Sequence, residues 1–349
     1  MDNQSFYMKE CLRLAKKGLG KVSPNPMVGC VIVYNEKIIG TGYHKSFGKN
    51  HAEVNAIQSV KDKSLLKKST LYVNLEPCSH YGKTPPCSDL IIKSGINKVI
   101  IGCIDPFKKV LGKGVEKLRE NGIKVSVGIL KKECEFLNRR FFTYHTKKRP
   151  YIILKWAESK DRFIAPINQI KPFWMTSKES KRIVHKWRSE EDAILVGRVT
   201  VQKDNPLLTN RKTVGKNPLR IVIDKDLKLD YKSNIYNKDA RTLIITSKKS
   251  FASFDSNIEF ICLKFKHLIK ELVSFLHEKG IQSVIIEGGR ETLQSFIDES
   301  IYDEVRRFVV SNRINDGVKA PILEYDKLEN LVNNHIEGDL LEKYIRKPF

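Results

Sequence analysis

The sequence predicts an α/β protein of two domains, and three observations lead there. Apolar runs of strand length alternate with helix-periodic segments, first over residues 4–121 and again over 151–299. The chain has 349 residues, about two domains' worth at roughly 150 residues each. Between the two series lies Lys147-Lys148-Arg149-Pro150, a polar, proline-ended connector, which sets the expected domains at 1–146 and 150–349.

In chain order, Tyr7, Met8, Cys11, Leu12, Ala15 and Leu19 recur at helical spacing over 4–19, and Ser23-Pro24-Asn25-Pro26 breaks that helix. Residues 28–34 are a continuous apolar run, hence a buried strand, with a turn at Asn35-Glu36 into a second strand over 37–43. A helix over 51–60, a strand over 70–75 and a Gly/Pro-rich loop over 79–86 follow. Then come a helix over 87–94, a strand over 98–103 and a helix over 114–121. In the second half, strands are expected at 151–156, 193–196, 220–223, 242–246 and 283–287, with helices at 177–188, 266–279 and 291–299.

Hydrophobic residues make up 41% and charged residues 30%, enough to bury a full core. The longest apolar stretch, 27–34, is far short of the about 20 residues a membrane helix needs. The N-terminus lacks a basic segment followed by an apolar run, so no secretory signal is expected and the expected location is cytoplasmic. Seven cysteines, an odd number in a long chain, argue against a disulfide framework. Lys and Arg outnumber Asp and Glu by 63 to 40, a net charge of +23. That excess is spread along the chain rather than gathered on one element, which favours compositional drift over a nucleic-acid surface, and whatever its origin it favours anionic ligands such as sugar phosphates.

Three pieces carry chemistry in the first half: His51-Ala52-Glu53, Pro77-Cys78 and Pro86-Cys87. One imidazole and two thiolates make a zinc set that leaves a fourth position open, the mark of a catalytic site. Zinc lowers the pKa of a water there toward about 7, and Glu53, two residues past His51, is placed to move its proton without ligating the metal. This is the His-x-Glu and Pro-Cys pattern of zinc nucleobase deaminases. The remaining Cys11, Cys30, Cys103 and Cys134 are expected to be core thiols. In the second half no Gly-x-Gly-x-x-Gly occurs. Instead Val284-Ile285-Ile286-Glu287-Gly288-Gly289 runs from a strand into a helix, an arrangement in which backbone can approach a phosphate closely. A second strand end, Leu195-Val196-Gly197-Arg198, offers the same possibility.

The run Leu75-Glu76-Pro77-Cys78-Ser79-His80-Tyr81-Gly82-Lys83-Thr84-Pro85-Pro86-Cys87 places eight residues between its cysteines, where most zinc deaminases place two. With Asn25-Pro26-Met27-Val28-Gly29-Cys30, Gly42-Tyr43-His44, Asp105-Pro106 and Gly112-Lys113-Gly114, it resembles the bifunctional riboflavin-biosynthesis deaminase/reductases over essentially the whole chain. The resemblance implies a cytidine-deaminase-like three-layer α/β/α domain followed by a dihydrofolate-reductase-like α/β domain. It implies zinc on His51, Cys78 and Cys87, Glu53 as catalytic proton shuttle, and Asn25, His44, His80, Lys83 and Asp105 around a diaminopyrimidinone bearing a phosphoribosylamino group. For the second domain it implies NADPH held by Ala157, Trp174, Thr200, Asp204, Gly289, Arg290, Glu291 and Thr292. Arg188, Leu208, Arg211 and Glu287 would hold the phosphorylated substrate. It also implies a homo-oligomer assembled through the reductase domain, with no nucleic-acid and no membrane partner.

Three departures from the family pattern stand out. Phe107 follows Asp105-Pro106 where many relatives have Asn, so no ribose contact is carried over to that position. Pro172 replaces a polar residue often used for substrate. Ser159-Lys160-Asp161-Arg162 replaces Ser-x-Asp-Gly, and if that position has positive φ the arginine costs roughly 1 kcal/mol or more. The alternatives are therefore an active deaminase joined to an impaired reductase, or a zinc deaminase acting on nucleic acid.

Overall fold

The computed structural model describes residues 3–81, 85–107, 110–249 and 256–347. The chain divides into two compact units, Met1–Lys148 and Arg149–Phe349.

The first unit contains α1 (Asn3–Ala15), β1 (Gly29–Tyr34), β2 (Lys37–Tyr43), α2 (Ala52–Ser59), β3 (Thr70–Leu75), α3 (Cys87–Lys93), β4 (Lys98–Cys103), α4 (Lys113–Glu120), β5 (Lys124–Val127), α5 (Lys131–Leu137) and α6 (Arg139–Lys147). Its sheet has the order β2-β1-β3-β4-β5. β1 is antiparallel to β2 and β3, while β3, β4 and β5 run parallel. Successive strand side chains point to opposite faces, and the core divides accordingly. Cys30, Ile32, Leu71, Val73, Val99 and Ile101 pack under Ala52, Ala56 and Ile57 of α2, Ile91 of α3 and Leu118 of α4. Val31, Val33, Tyr72, Ile100 and Cys103 pack on the other face against Tyr7, Met8 and Cys11 of α1 and Cys134 of α5. The result is three layers, helix on sheet on helix. At Gly42 of β2 a Cβ would lie 2.3 Å from the Ala52 carbonyl oxygen, so only glycine lets α2 seat this closely on the sheet.

The second unit contains β6 (Tyr151–Ser159), β7 (Phe163–Pro166), α7 (Lys178–Glu190), β8 (Ala193–Gly197), α8 (Arg198–Asp204), β9 (Leu219–Ile223), β10 (Thr242–Thr246), β11 (Ile258–Cys262), α9 (Leu268–Glu278), β12 (Ser283–Gly288), α10 (Arg290–Asp298), β13 (Glu304–Val310), β14 (Gly317–Lys319), β15 (Leu328–Ile336) and β16 (Asp339–Arg346). Its main sheet has the order β11-β10-β9-β8-β12-β6-β13-β16-β15. The pairs from β11 through β13 are parallel, and β16 and β15 close that edge antiparallel. The central parallel strands β8, β10 and β12 are buried on both faces, which is why they read as continuous apolar runs. Ser177 starts α7 by accepting the Ser180 N–H on its hydroxyl.

Two expectations change. The first helix is α-helical only to Ala15 and tightens to a 3-10 turn at Lys16–Gly18. The first strand of the second unit runs to Ser159 rather than residue 156 and turns there into β7. In that turn Arg162 has φ +67°, the left-handed region named above as the costly case.

Candidate active sites

His51 is the residue just before α2, Glu53 lies in its first turn, Cys78 follows β3 and Cys87 opens α3. The ligand atoms of His51, Cys78 and Cys87 lie within 4.8 Å of one another. His51 Nδ1 is 3.6 Å from Cys78 Sγ and 3.3 Å from Cys87 Sγ. Tetrahedral zinc with Zn–N of about 2.0–2.1 Å and Zn–S of about 2.3 Å requires N···S of about 3.6 Å, so the donor set fits zinc. The Cys78 thiol is already drawn down to about 4, first by a hydrogen bond from Cys87 and then by His51. The Cys87 N–H also donates to Cys78 Sγ, at 3.4 Å. Glu53 is buried beside the set without belonging to it, and burial raises its carboxyl pKa.

Around this centre the His44 ring meets that of His51 at 5.3 Å between centroids. Asn25 Nδ2 lies 3.1 Å from His44 Nε2, and His44 Nδ1 lies 3.1 Å from the Asn50 carbonyl. The His80 and Phe107 rings meet in a T-shaped arrangement at 6.0 Å between centroids, and the buried His80 Nδ1 has no partner among the described residues. Asp105 is buried, and that burial carries its pKa up to about 7, against the Phe107 N–H that donates to it and with the nearby Glu76 charge. Phe107 itself packs on His145 of α6, with ring centroids 4.9 Å apart. Lys83 lies outside the described residues.

Sequence reasoning missed Glu76. Its buried carboxylate accepts the backbone N–H groups of Asp105 and Gly112 on Oε2, and those of Gly114 and Val115 on Oε1. It thus ties the end of β3, which leads into Cys78, to the Asp105 loop and to the start of α4. The available signal was an acid placed directly between an apolar strand and Pro77-Cys78.

In the second unit Thr200, Gly289 and Thr292 of the candidate cofactor residues come together at the carboxyl ends of β8 and β12, where open parallel sheets bind ligands. Thr200 Oγ1 lies 4.0 and 3.4 Å from the Cβ positions that Gly288 and Gly289 leave empty, and a Cβ on Gly197 would come within 2.6 Å of Thr292 Oγ1. The bare Gly288-Gly289 backbone leads into α10, where the buried Arg290 Nε has no partner among the described residues. A glycine cradle with an orphaned guanidinium nitrogen at a helix start fits an anionic dinucleotide such as NADPH. Asp204, at the end of α8, accepts from Gln169 Nε2 at 2.5 Å and so fixes the loop before Trp174. Trp174 is 63% exposed, with Lys181 Nζ 4.4 Å above its ring. Ala157 lies on β6, and the Glu291 side chain is exposed.

The candidate substrate residues form a second cluster. Arg188 on α7 donates Nε and one terminal nitrogen to the two oxygens of Glu287, at 3.1 and 2.8 Å. Burial alone would raise the Glu287 pKa, but Arg188 and Lys155 overcome it and hold the carboxyl at about 2. Lys155 Nζ is 3.9 Å from Glu287. This lysine inside the apolar run of β6 was overlooked, although a cation within a buried strand is itself a signal. Arg211 bonds Thr209 Oγ1 through its side chain and His185 Nδ1 through its N–H. His185 is held neutral, down to about 4, by burial and then by Arg188 and Arg211. Leu208 is buried at φ +52° beside them in sequence. Two cations, Arg188 and Lys155, thus face one carboxylate, with Arg211 bonded to the adjoining Thr209 and His185, an excess of positive charge suited to a phosphate.

The folds and sites define a zinc deaminase unit joined to a reductase unit, and the comparisons agree. Residues 1–103 match the family profile of the cytidine and deoxycytidylate deaminase zinc-binding region, and residues 150–314 match that of the RibD C-terminal domain. The chain belongs to the RibD family of bifunctional riboflavin-biosynthesis enzymes, with zinc in the deaminase unit and NADPH as the reductant of the reductase unit. It is 43% identical to the riboflavin biosynthesis protein RibD of Aquifex aeolicus, over 93% of this chain and 91% of that one. It is 38% identical to the protein of the same name from Bacillus amyloliquefaciens, over 92% and 87%. Among solved structures it resembles a diaminohydroxyphosphoribosylaminopyrimidine deaminase/5-amino-6-(5-phosphoribosylamino)uracil reductase from Thermotoga maritima. There the TM-score is 0.90 and the identity 37%, covering 99% of both chains. The RibD of Acinetobacter baumannii gives a TM-score of 0.88 at 28% identity, again covering 99% of both. No helix among the described residues is long and apolar enough to cross a membrane.

Proposed function

We propose that the chain converts 2,5-diamino-6-(5-phosphoribosylamino)pyrimidin-4(3H)-one to 5-amino-6-(5-phosphoribitylamino)uracil in two successive steps, as a cytoplasmic homo-oligomer assembled through the reductase unit and without a nucleic-acid partner. The observation that carries this reading is the His51, Cys78 and Cys87 set at zinc spacing with the buried Glu53 beside it. In the first step water replaces the 2-amino group: a C–O bond forms, the C–N bond breaks and ammonia leaves. Zinc, when bound, supplies a water nucleophilic at neutral pH. Glu53 takes the proton from that water and delivers it to the departing amine, a role its raised pKa suits. Asn25, His44, His80 and Asp105 orient the ring, and Lys83 meets the phosphate. NADPH, when bound, would supply the hydride for the second step, in which C1′ of the ribosyl group is reduced, the C1′–O4′ bond opens and O4′ takes up a proton. Ala157, Trp174, Thr200, Asp204 and Gly289 to Thr292 hold the cofactor. Arg188 and Arg211 take the phosphate, Glu287 holds Arg188 in place, and Leu208 gives apolar contact.

One observation favours a second reading of the reductase half. Arg162 occupies a left-handed turn where the family pattern has glycine, which supports a reductase slower than the deaminase. The test uses purified full-length protein and the diaminopyrimidinone ribosyl phosphate, with ammonia and NADPH followed separately. Ammonia release that a zinc chelator stops, followed by NADPH oxidation, is the expected result. Ammonia without NADPH oxidation would favour the second reading. No ammonia from zinc-loaded protein would overturn the substrate assignment.

A further inference from the structure

The segment that carries Asn25 has an unusual source of backbone hydrogen bonds. Met27 lies just before β1 begins, yet it is buried and its polar groups must be paired. The Met27 N–H donates to Asn138 Oδ1 at 2.7 Å, and Asn138 Nδ2 donates back to the Met27 carbonyl at 2.9 Å. Asn74 Nδ2 donates to the same carbonyl at 3.1 Å, while Asn74 Oδ1 accepts the Gly29 N–H at 2.7 Å. Both asparagines are buried, at 0% and 2% exposure. A carboxamide presents one acceptor and one donor side by side, so each side chain serves here as a short piece of strand. Between these anchors the Val28 carbonyl accepts the His44 N–H at 2.9 Å. The segment so fixed presents Asn25, whose side chain meets His44.

We infer that Asn138 and Asn74 are positioning residues of the deaminase, holding the 25–29 backbone so that Asn25 and His44 face the pyrimidine. This rests on the reading above that Asn25 and His44 contact substrate. Asn138 sits between α5 and α6, its N–H bonded to the Cys134 carbonyl and its own carbonyl accepting from Phe142. The last helices of the unit therefore fix the substrate-facing segment although they supply none of its proposed substrate contacts.

The test is a mutant cycle on the full chain, with steady-state ammonia release and zinc content measured together. Asn138→Ala should raise KM for the pyrimidine about tenfold with kcat within about twofold and zinc retained, the signature of lost ground-state orientation. Asn25→Ala should raise KM on its own, and adding Asn138→Ala to it should raise KM little further, because both act through one contact. An Asn138→Ala enzyme with wild-type KM, or fully additive effects, would overturn the inference. If Asn25→Ala leaves KM unchanged, the substrate-contact reading of Asn25 fails instead, and the inference falls with it. Should Asn138→Ala lose its zinc, Asn138→Ser is the milder probe, since its hydroxyl can still serve one Met27 group. A zinc-retaining Ser variant with raised KM supports the inference, and one with unchanged KM refutes it.

Discussion

Replacing Arg162 by glycine should stabilise the reductase unit and speed its reaction. Arg162 has φ +67° and cannot relax, because both of its backbone groups are used. Its N–H donates to the Ser159 carbonyl at 2.9 Å, and its carbonyl accepts the Ala320 N–H at 2.8 Å. Asp161 next to it accepts the Ser159 hydroxyl and the N–H groups of Ile314 and Asn315, so the turn is held from outside as well. A left-handed non-glycine residue costs about 1–2 kcal/mol. Glycine removes that cost but adds about 0.5–1 kcal/mol of chain entropy to the unfolded state. The net gain expected for Arg162→Gly is about 0.5–1 kcal/mol. For a unit of this size that corresponds to roughly 1–4 °C in the unfolding midpoint. Scanning calorimetry reads the midpoint, and NADPH oxidation with the deaminated substrate reads the rate. A midpoint that is unchanged or lower would show that the turn carries no strain. A rate that does not rise would show that Arg162 does not hinder the reductase.

Glu53→Gln should lower ammonia release by about 10²–10⁴-fold while zinc content stays at the wild-type level, because Glu53 moves a proton and is not a ligand; loss of zinc in that variant, by metal analysis, would contradict this. Glu287→Gln leaves Arg188 and Lys155 buried against a neutral amide and should cost about 3–5 kcal/mol in denaturant unfolding, together with the reductase activity. His185 stays neutral in the folded protein down to about pH 4, whereas its ordinary value is 6.5. Between those values the unfolded chain binds the extra proton, so stability falls as pH drops from 6.5 to 4. His185→Asn keeps an acceptor for the Arg211 N–H and should flatten that slope in urea midpoints taken across the window; an unchanged slope would refute the assignment.

The sequence was most legible where one physical demand dominated. Strands β8, β10 and β12 are buried on both faces, so they read as plain apolar runs, and His51, Cys78 and Cys87 stood out because zinc requires those donors together. The segment from Glu304 to Arg346 was not read. β13 carries Arg306 and Arg307, whose charges hide a strand, and only the tertiary pairing with Glu304, Glu191, Glu158 and Glu342 makes their burial possible. β15 is an edge strand with most side chains exposed, so it shows no alternation. Glu76, Asn74 and Asn138 escaped for another reason: each pairs with backbone far away in sequence, and no local spacing announces such a partner. Lys155 could have been found, since it interrupts an otherwise apolar strand.

The Glu76 carboxylate has a consequence for how the deaminase unit opens. Four amide protons, those of Asp105, Gly112, Gly114 and Val115, share one pair of oxygens. Displacement of this one side chain would free all four at once. Their hydrogen exchange should therefore follow a common opening, with similar protection and a similar response to denaturant. Because Glu76 lies two residues before Cys78, that opening event would also loosen the metal centre. The slowest exchange in the Asp105 loop then becomes a clock for spontaneous zinc loss.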